Sequence, residues 1–234
     1  MTELEFFDEL AKNGYILTGL IKDNLLKYLS LVEETNKVMD LTANVEKEEI
    51  IEKNFYDSIL SLSKFDYENK SLIDVGSGAG FPGMLYAIMC PSLKVTLLEP
   101  MNKRANFLLK VKEELKLENV EVVSKRAEDF ASLNKESFDY GSARGVAKLN
   151  ILLELITPML KVGGIFIALK AKMAYEEEIN AKNALSILNM ERVHVEEFFL
   201  PTNKETRINL YYKKNKSTDK KYPRNFGQIK KKPL

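Results

Sequence analysis

Leu72-Ile73-Asp74-Val75-Gly76-Ser77-Gly78-Ala79-Gly80-Phe81-Pro82-Gly83 runs from a short apolar stretch through clustered glycines toward a helix-like segment. Leu72 to Val75, bounded by turn residues, reads as a buried parallel strand, and Pro82 suits the first turn of a following helix. Glycines lack the Cβ that keeps a ligand from main-chain N–H groups, and they accept the positive φ of a sharp strand-to-helix turn. Main chain is therefore expected to approach a ligand here. The spacing discriminates among ligands. A dinucleotide fingerprint, G-x-G-x-x-G, started at Gly76 would need glycine at position 81, where the chain carries Phe81. The glycines stand instead at 76, 78, 80 and 83, and four in eight residues favour a ligand loop over a bare turn.

Outward from this loop the chain alternates. Lys94 to Leu98, Val120 to Val123, Phe138 to Ser142 and Ile165 to Lys170 are further strand candidates, with helical segments between them. That order predicts an α/β fold, a mostly parallel Rossmann-like sheet with helices on both faces. Glu191 to Phe199 and Thr206 to Tyr212, joined only by a loop, predict a closing antiparallel hairpin. Residues 1–67 read as a helical extension, with one apolar stripe of Ile21, Leu25, Tyr28, Leu29 and Val32 and another of Ile51, Phe55, Ile59 and Leu62. The expected division is an N-terminal helical extension (1–67), a ligand-binding domain (68–213) and a basic tail (214–234).

Composition narrows the chemistry. Hydrophobic residues at 45% and charged residues at 29% of 234 are those of an ordinary soluble protein. No apolar run approaches a membrane span, and Met1-Thr2-Glu3-Leu4-Glu5 lacks the basic start of a signal peptide, so a cytoplasmic location is expected. One cysteine, Cys90, and one histidine, His194, exclude a disulfide framework and argue against a Cys/His metal site or a catalytic triad. Between Val193 and Val195, His194 reads as a surface-facing strand residue, and Cys90 as a packed thiol. The net charge of +1 conceals an asymmetry. Residues 213–234 hold nine Lys or Arg and one Asp, a net of +8, which leaves −7 for the rest. Such a block either neutralises nucleic-acid phosphate or is a solvated, disordered end.

In open α/β sheets ligands sit outside the carboxyl ends of the strands. The second strand ends at Glu99, twenty-three residues after Gly76, where a carboxylate can accept from both ribose hydroxyls of an adenosine cofactor; otherwise it is a surface carboxylate. Pro100 and Met101 could pack beside that adenosine, and Ala127 and Glu128, after the third strand, could meet the adenine edge. Strands four and five end in Arg144 and Lys170, which would face the reaction site, or else cap a helix or pair with Glu128. Lys103 and Arg104 in a helix's first turn oppose the helix dipole, which suggests an anionic partner, with a solvated surface as the simpler account.

The glycine loop resembles the first motif of class I S-adenosylmethionine (SAM) methyltransferases. Other segments make the likeness more specific: Asn36 with Asp40-Leu41-Thr42-Ala43, Phe55-Tyr56-Asp57-Ser58, Asn102-Lys103-Arg104, Phe107-Leu108, Arg126-Ala127-Glu128, Ser142-Ala143-Arg144, Ala168-Leu169-Lys170, and Lys221-Tyr222-Pro223-Arg224 with Gly227 and Lys232-Pro233-Leu234. Together they resemble the RsmG/GidB family, whose members methylate a guanine at N7, of the 527 type, in bacterial 16S ribosomal RNA. The resemblance implies SAM contacts at Gly76, Phe81, Glu99, Pro100, Met101, Ala127, Glu128 and Arg144, and Gly78 and Gly80 of the same loop are expected to join them. RNA contacts are expected at Lys103, Arg104, Arg126, Arg207 and Arg224, and the partner implied is the 16S rRNA or a small-subunit precursor. No metal, no membrane and a monomeric state are expected. Two positions depart from the family pattern: Asn54 stands where a histidine is usual, and Asn225 where a second arginine is usual.

Guanine N7 carries an exposed lone pair and no proton, so its attack on a sulfonium methyl needs no general base. Positioning is expected to dominate, with Arg144 and Lys170 on guanine O6 or a nearby phosphate. A cytosine C5 enzyme would need a nucleophilic cysteine at the fourth or fifth strand end, and Cys90 lies elsewhere in the order of elements. The competing readings are a SAM methyltransferase acting on another RNA, a small molecule or a protein, an NAD-dependent oxidoreductase, which lacks its glycine at position 81, and a noncatalytic RNA-binding assembly factor.

Overall fold

The computed structural model describes residues 1–234 apart from the side chains of residues 63 and 64. Its centre is a seven-stranded sheet in the order β3-β2-β1-β4-β5-β7-β6. The strands are β1 (Ser71–Val75), β2 (Lys94–Leu98), β3 (Val120–Val123), β4 (Phe138–Arg144), β5 (Leu160–Ala171), β6 (Met190–Phe199) and β7 (Thr206–Lys214). Strands β1 to β5 are parallel; β7 runs antiparallel between β5 and β6. The expected mixed sheet and closing hairpin are both present. β1 is central and buried from Leu72 to Val75, as its uninterrupted apolar run requires.

Helices α1 (Glu3–Lys12) and α2 (Gly19–Asn36) begin at side-chain caps from Thr2 and Thr18. A third helical run joins α3 (Lys47–Ile50), a π-helical turn (Ile51–Tyr56) and α4 (Asp57–Leu60). Both predicted stripes face inward, and Leu25, Tyr28, Val32, Ile51, Phe55 and Ile59 are almost wholly buried. They belong to one apolar cluster with Leu72 of β1 and Val95 and Leu97 of β2, so the extension is part of the cover on one sheet face, packed with α5 (Gly83–Met89) and α6 (Asn102–Glu114). The opposite face is covered by α7 (Ala127–Leu133), α8 (Leu149–Ile156), α9 (Ala174–Asn180) and α10 (Lys182–Ile187).

The basic tail is folded, which removes the disordered-end reading. Tyr222 and Ile229 are buried, and α11 (Phe226–Lys231) is capped by Asn225. Arg224 grips Glu154 of α8 with Nε and Nη2 at 2.7 and 2.6 Å, and Glu154 is fully buried. Lys214 is buried as well, its Nζ donating to the carbonyls of Thr157 and Leu160 and to Glu136. Arg224, expected on RNA, thus spends Nε and Nη2 on a buried carboxylate that needs a partner. The other seven tail cations are exposed.

His194 departs from its expected surface position. A register shift between Arg192 and His194 turns it partly inward, its ring centroid lies 5.3 Å from that of Tyr211, and Nε2 is buried without a partner. Cys90 packs half-buried against the core, and burial pushes its thiol up to about 11, as an inert thiol requires. Among the described residues no helix is long and apolar enough to cross a membrane, and no cluster of His, Cys, Asp or Glu could hold a metal ion.

Candidate active site

After Val75 the chain turns through Gly76, Gly78 and Gly80, all at positive φ. The three glycines meet different needs. A Cβ on Gly76 would stand 2.6 Å from Val146, beyond the end of β4, whereas one on Gly78 would meet nothing closer than 3.9 Å. A Cβ on Gly80 would collide with the Tyr28 hydroxyl at 2.6 Å and with Met84. Gly80 thus lets α2 close on the loop, and the Tyr28 hydroxyl donates to Ala79 O at 2.5 Å. Helix α2 braces the turn from behind.

In front of the turn lies a cavity of about 630 Å³ along the carboxyl edge of the sheet. That is within the range of small-ligand sites. Gly76, Gly78, Phe81, Glu99, Pro100, Met101 and Arg144 line it, with Arg104 and Arg126 from the set expected on RNA. Glu99 is nearly buried, and its two oxygens accept from Gly78 N at 2.8 Å and Met101 N at 2.9 Å. Each oxygen keeps a lone pair beyond those bonds. Gly80, Ala127 and Glu128 do not line the cavity: Gly80 faces Tyr28, Ala127 packs against the core of the other face, and Glu128 pairs with Arg126 at 3.2 Å. Arg126 in turn lies over the Phe226 ring at 4.5 Å, so the folded tail supports this rim.

A second cavity, also about 630 Å³, adjoins the first and shares Arg144, Gly145 and Val146 with it. Lys53, Lys148, Lys170 and Arg207 line it, balanced in part by Asp57, Glu177 and Glu205. Arg207 reaches this edge because β7 runs antiparallel, which sets its first residues beside the last of β5, Arg207 opposite Ala171. Lys170 is committed to protein, donating to Glu177 at 2.7 Å and Ala147 O at 2.9 Å. Lys148 is exposed and has no ion-pair partner among the described residues.

Asp57 ties the two cavities together. Its Oδ2 accepts from Arg144 Nη1 at 3.3 Å and from Arg207 Nε at 3.0 Å, while Oδ1 is buried and unpartnered. Burial raises its pKa against the pull of both cations, and burial lowers that of Arg144. Arg144 Nη1 also donates to Lys53 O at 2.9 Å, a carbonyl of the π-helical turn. Beneath the glycine loop, Asp74 accepts from Ser142 at 2.7 Å, and burial pushes its carboxyl up to about 6.

The segment between α2 and α3 straps the front of the first cavity. Asn36 Oδ1 accepts from Leu41 N and Thr42 N, and its Nδ2 donates to Asn44 O. Leu41, Thr42 and Ala43 then line the first cavity and Asn44 the second. Asn54 stands behind the strap, its Oδ1 accepting from Asn44 Nδ2 at 2.9 Å. None of Thr42, Asn44, Lys53, Asn54 or Lys148 lies at a strand end, so strand-end placement does not mark them. The available signal was the family likeness at Asn36 to Ala43 and Phe55 to Ser58. Lys103 lies beside the strap, lining a hollow of about 750 Å³ with Lys37, Val38 and Arg104. A larger hollow of about 950 Å³ opens at the opposite edge, by Lys94 and Val120 at the amino ends of their strands, away from the glycine loop.

The family profile described as rRNA small subunit methyltransferase G matches residues 21–206. A ribosomal RNA small subunit methyltransferase G of Streptococcus sanguinis is 43% identical over 238 residues, covering all of both chains. One of Fusobacterium nucleatum is 46% identical over 210 residues, covering 89% of this chain and 90% of its own. Among solved structures, M. jannaschii TYW2 in complex with AdoMet superposes with a TM-score of 0.53 at 17% identity, covering 68% of this chain and 76% of its own; that likeness concerns the fold.

Proposed function

The chain belongs to the rRNA small subunit methyltransferase G family, and on that premise we propose that it transfers the methyl group of SAM to N7 of a guanine in bacterial 16S ribosomal RNA. The observation that carries the reading is the pair of cavities meeting at Arg144, Gly145 and Val146, one built on a glycine loop and a buried carboxylate, the other rich in cations.

The residues of the first cavity fit this cofactor. Gly78 leaves open space where a side chain would intrude, and Glu99, fixed by two backbone donors, retains lone pairs for ribose hydroxyls. Pro100 and Met101 flank the adenosine end, and Arg126 closes it over Phe226. When bound, SAM supplies an electrophilic sulfonium methyl. The chain's own part is to orient the acceptor, because N7 needs no proton removed. Holding a nucleophile in line with the bond it attacks is worth roughly 7–11 kcal/mol in favourable intramolecular systems.

In the second cavity Arg144 stands at the shared wall and positions the base. Lys170, spent on Glu177, shapes the wall, and the unpaired Lys148 meets phosphate. Lys103, Arg104 and the exposed tail lysines form the outer electrostatic surface for RNA. We take one copy as the working unit, since a single chain lines both cavities, and the cytoplasm as the compartment, where bacterial ribosomal RNA is made.

The test is transfer of labelled methyl from SAM to 16S rRNA, naked and in small-subunit particles, followed by nucleoside analysis. Labelled 7-methylguanosine is expected. Label in another nucleoside, or transfer only to protein, refutes the assignment.

A further inference from the structure

The amide of Asn54 has one half in use and the other free. Asn54 is 5% exposed and lines the first cavity. The Thr42 hydroxyl accepts from Asn44 N at 3.2 Å and lies 3.3 Å from the Asn54 amide. Its proton goes to the Oδ1 of that amide. Asn44 Nδ2 donates to the same oxygen at 2.9 Å. The nitrogen is thus turned away from the strap, and no acceptor meets it among the described residues. Nδ2 is open to the cavity rather than sealed inside the protein, so an acceptor on a ligand there takes the place of water.

The position along the cavity indicates which ligand atom that is. Glu99, Met101 and Arg126, at the ends of β2 and β3, mark one end. Asn54, Phe81 and Arg144, beside the ends of β1 and β4, mark the other. With adenosine at the first end, the amino-acid portion of SAM reaches the second. Arg144 gives protein only its Nη1 donors there, and its guanidinium lies 5.2 Å from the Phe81 ring centroid. Two sets of uncommitted donors suit an anion.

Resting on the reading of this cavity as a SAM site, we propose that Asn54 is a positioning residue for the cofactor: its Nδ2 donates to the methionyl carboxylate beside Arg144, and Thr42 and Asn44 set its orientation. The bond holds the amino-acid end so that the sulfonium faces the shared wall.

Asn54→Asp keeps the oxygen that Thr42 and Asn44 bind and replaces only the free nitrogen by a second oxygen. Calorimetry of the full chain with SAM and with 5′-methylthioadenosine, which lacks the amino-acid portion, reads the effect without turnover. The substitution should weaken SAM roughly 100-fold, through a lost charge-assisted bond and a new like-charge contact, and leave methylthioadenosine within about twofold. Asn54→Ser, which adds no charge, should show the same selectivity at about tenfold. Equal losses for both ligands in both variants, or unaltered SAM affinity, overturn the proposal. If the unsubstituted chain binds neither ligand, it is the cofactor reading itself that fails.

Discussion

Arg224→Ala separates two accounts of the tail. Three donors of Arg224 converge on Glu154: backbone N at 3.0 Å, Nε at 2.7 Å and Nη2 at 2.6 Å. Truncation leaves the backbone bond and removes both charge-assisted ones, beside a carboxylate with no exposed surface. Breaking a buried pair from one side costs about 3–5 kcal/mol. The Arg224 side chain is 23% exposed, so water can follow it out and solvate part of the carboxylate. That lowers the expected loss to roughly 2–4 kcal/mol. Glu154→Gln keeps the shape and lets the guanidinium turn to solvent, so it should cost less, about 1–2 kcal/mol. Urea denaturation measures the global loss. Limited proteolysis between Lys214 and Tyr222 measures undocking of the tail alone, which the broken pair should accelerate because Tyr222 and Ile229 are the tail's main apolar anchors. A variant as stable and protease-resistant as the parent, but weakened toward RNA, would refute this reasoning and restore Arg224 as an RNA contact.

Asp74→Asn should remove a pH dependence of stability. Its carboxyl is raised from 3.8 to about 6 in the folded chain, so the stability it contributes is complete below pH 4 and is lost as pH rises through 6. The substitution should therefore match the parent at pH 4 and exceed it by about 3 kcal/mol at pH 7.5, as read from denaturation midpoints; a constant difference across that range defeats the assignment. Gly80→Ala and Gly78→Ala should fail differently. The first forces a Cβ onto Tyr28 and should cost about 2–4 kcal/mol in thermal or urea unfolding. The second meets open space, so it should cost about 1 kcal/mol of backbone strain and be felt mainly as weaker SAM binding by calorimetry. Lys148→Ala should reduce the slope of log RNA affinity against log salt by about one while SAM affinity holds; an unchanged slope removes Lys148 from the phosphate contacts.

Much of the fold was legible in the chain because strand and helix periods are local. Lys94–Leu98 and Val120–Val123 stand as read, and the later strands extend by a few residues where pairing continues beyond the apolar run, as in β5 from Leu160. The cavity wall along β1 and β2 was legible for the same reason, since Gly76, Gly78, Phe81, Glu99, Pro100 and Met101 lie at or just after strand ends that the sequence marks by composition. Gly80 shows the limit. Glycine marks a place where a Cβ does not fit, without saying whether a ligand or another helix requires the room, and here α2 does. Lys170 and Arg224 show it for charge, since a cation's partner lies in another element: Glu177 for one and Glu154 for the other.

The chain by itself determined a parallel sheet with a glycine turn and a carboxylate at the neighbouring strand end, because hydrophobic period, turn stereochemistry and strand-end placement act over short stretches. Only the tertiary structure decided which charges remain available to a ligand. Burial and pairing across 87 residues between Asp57 and Arg144, and across 150 between Asp57 and Arg207, set that outcome. Such pairings depend on distances in space that no local pattern encodes.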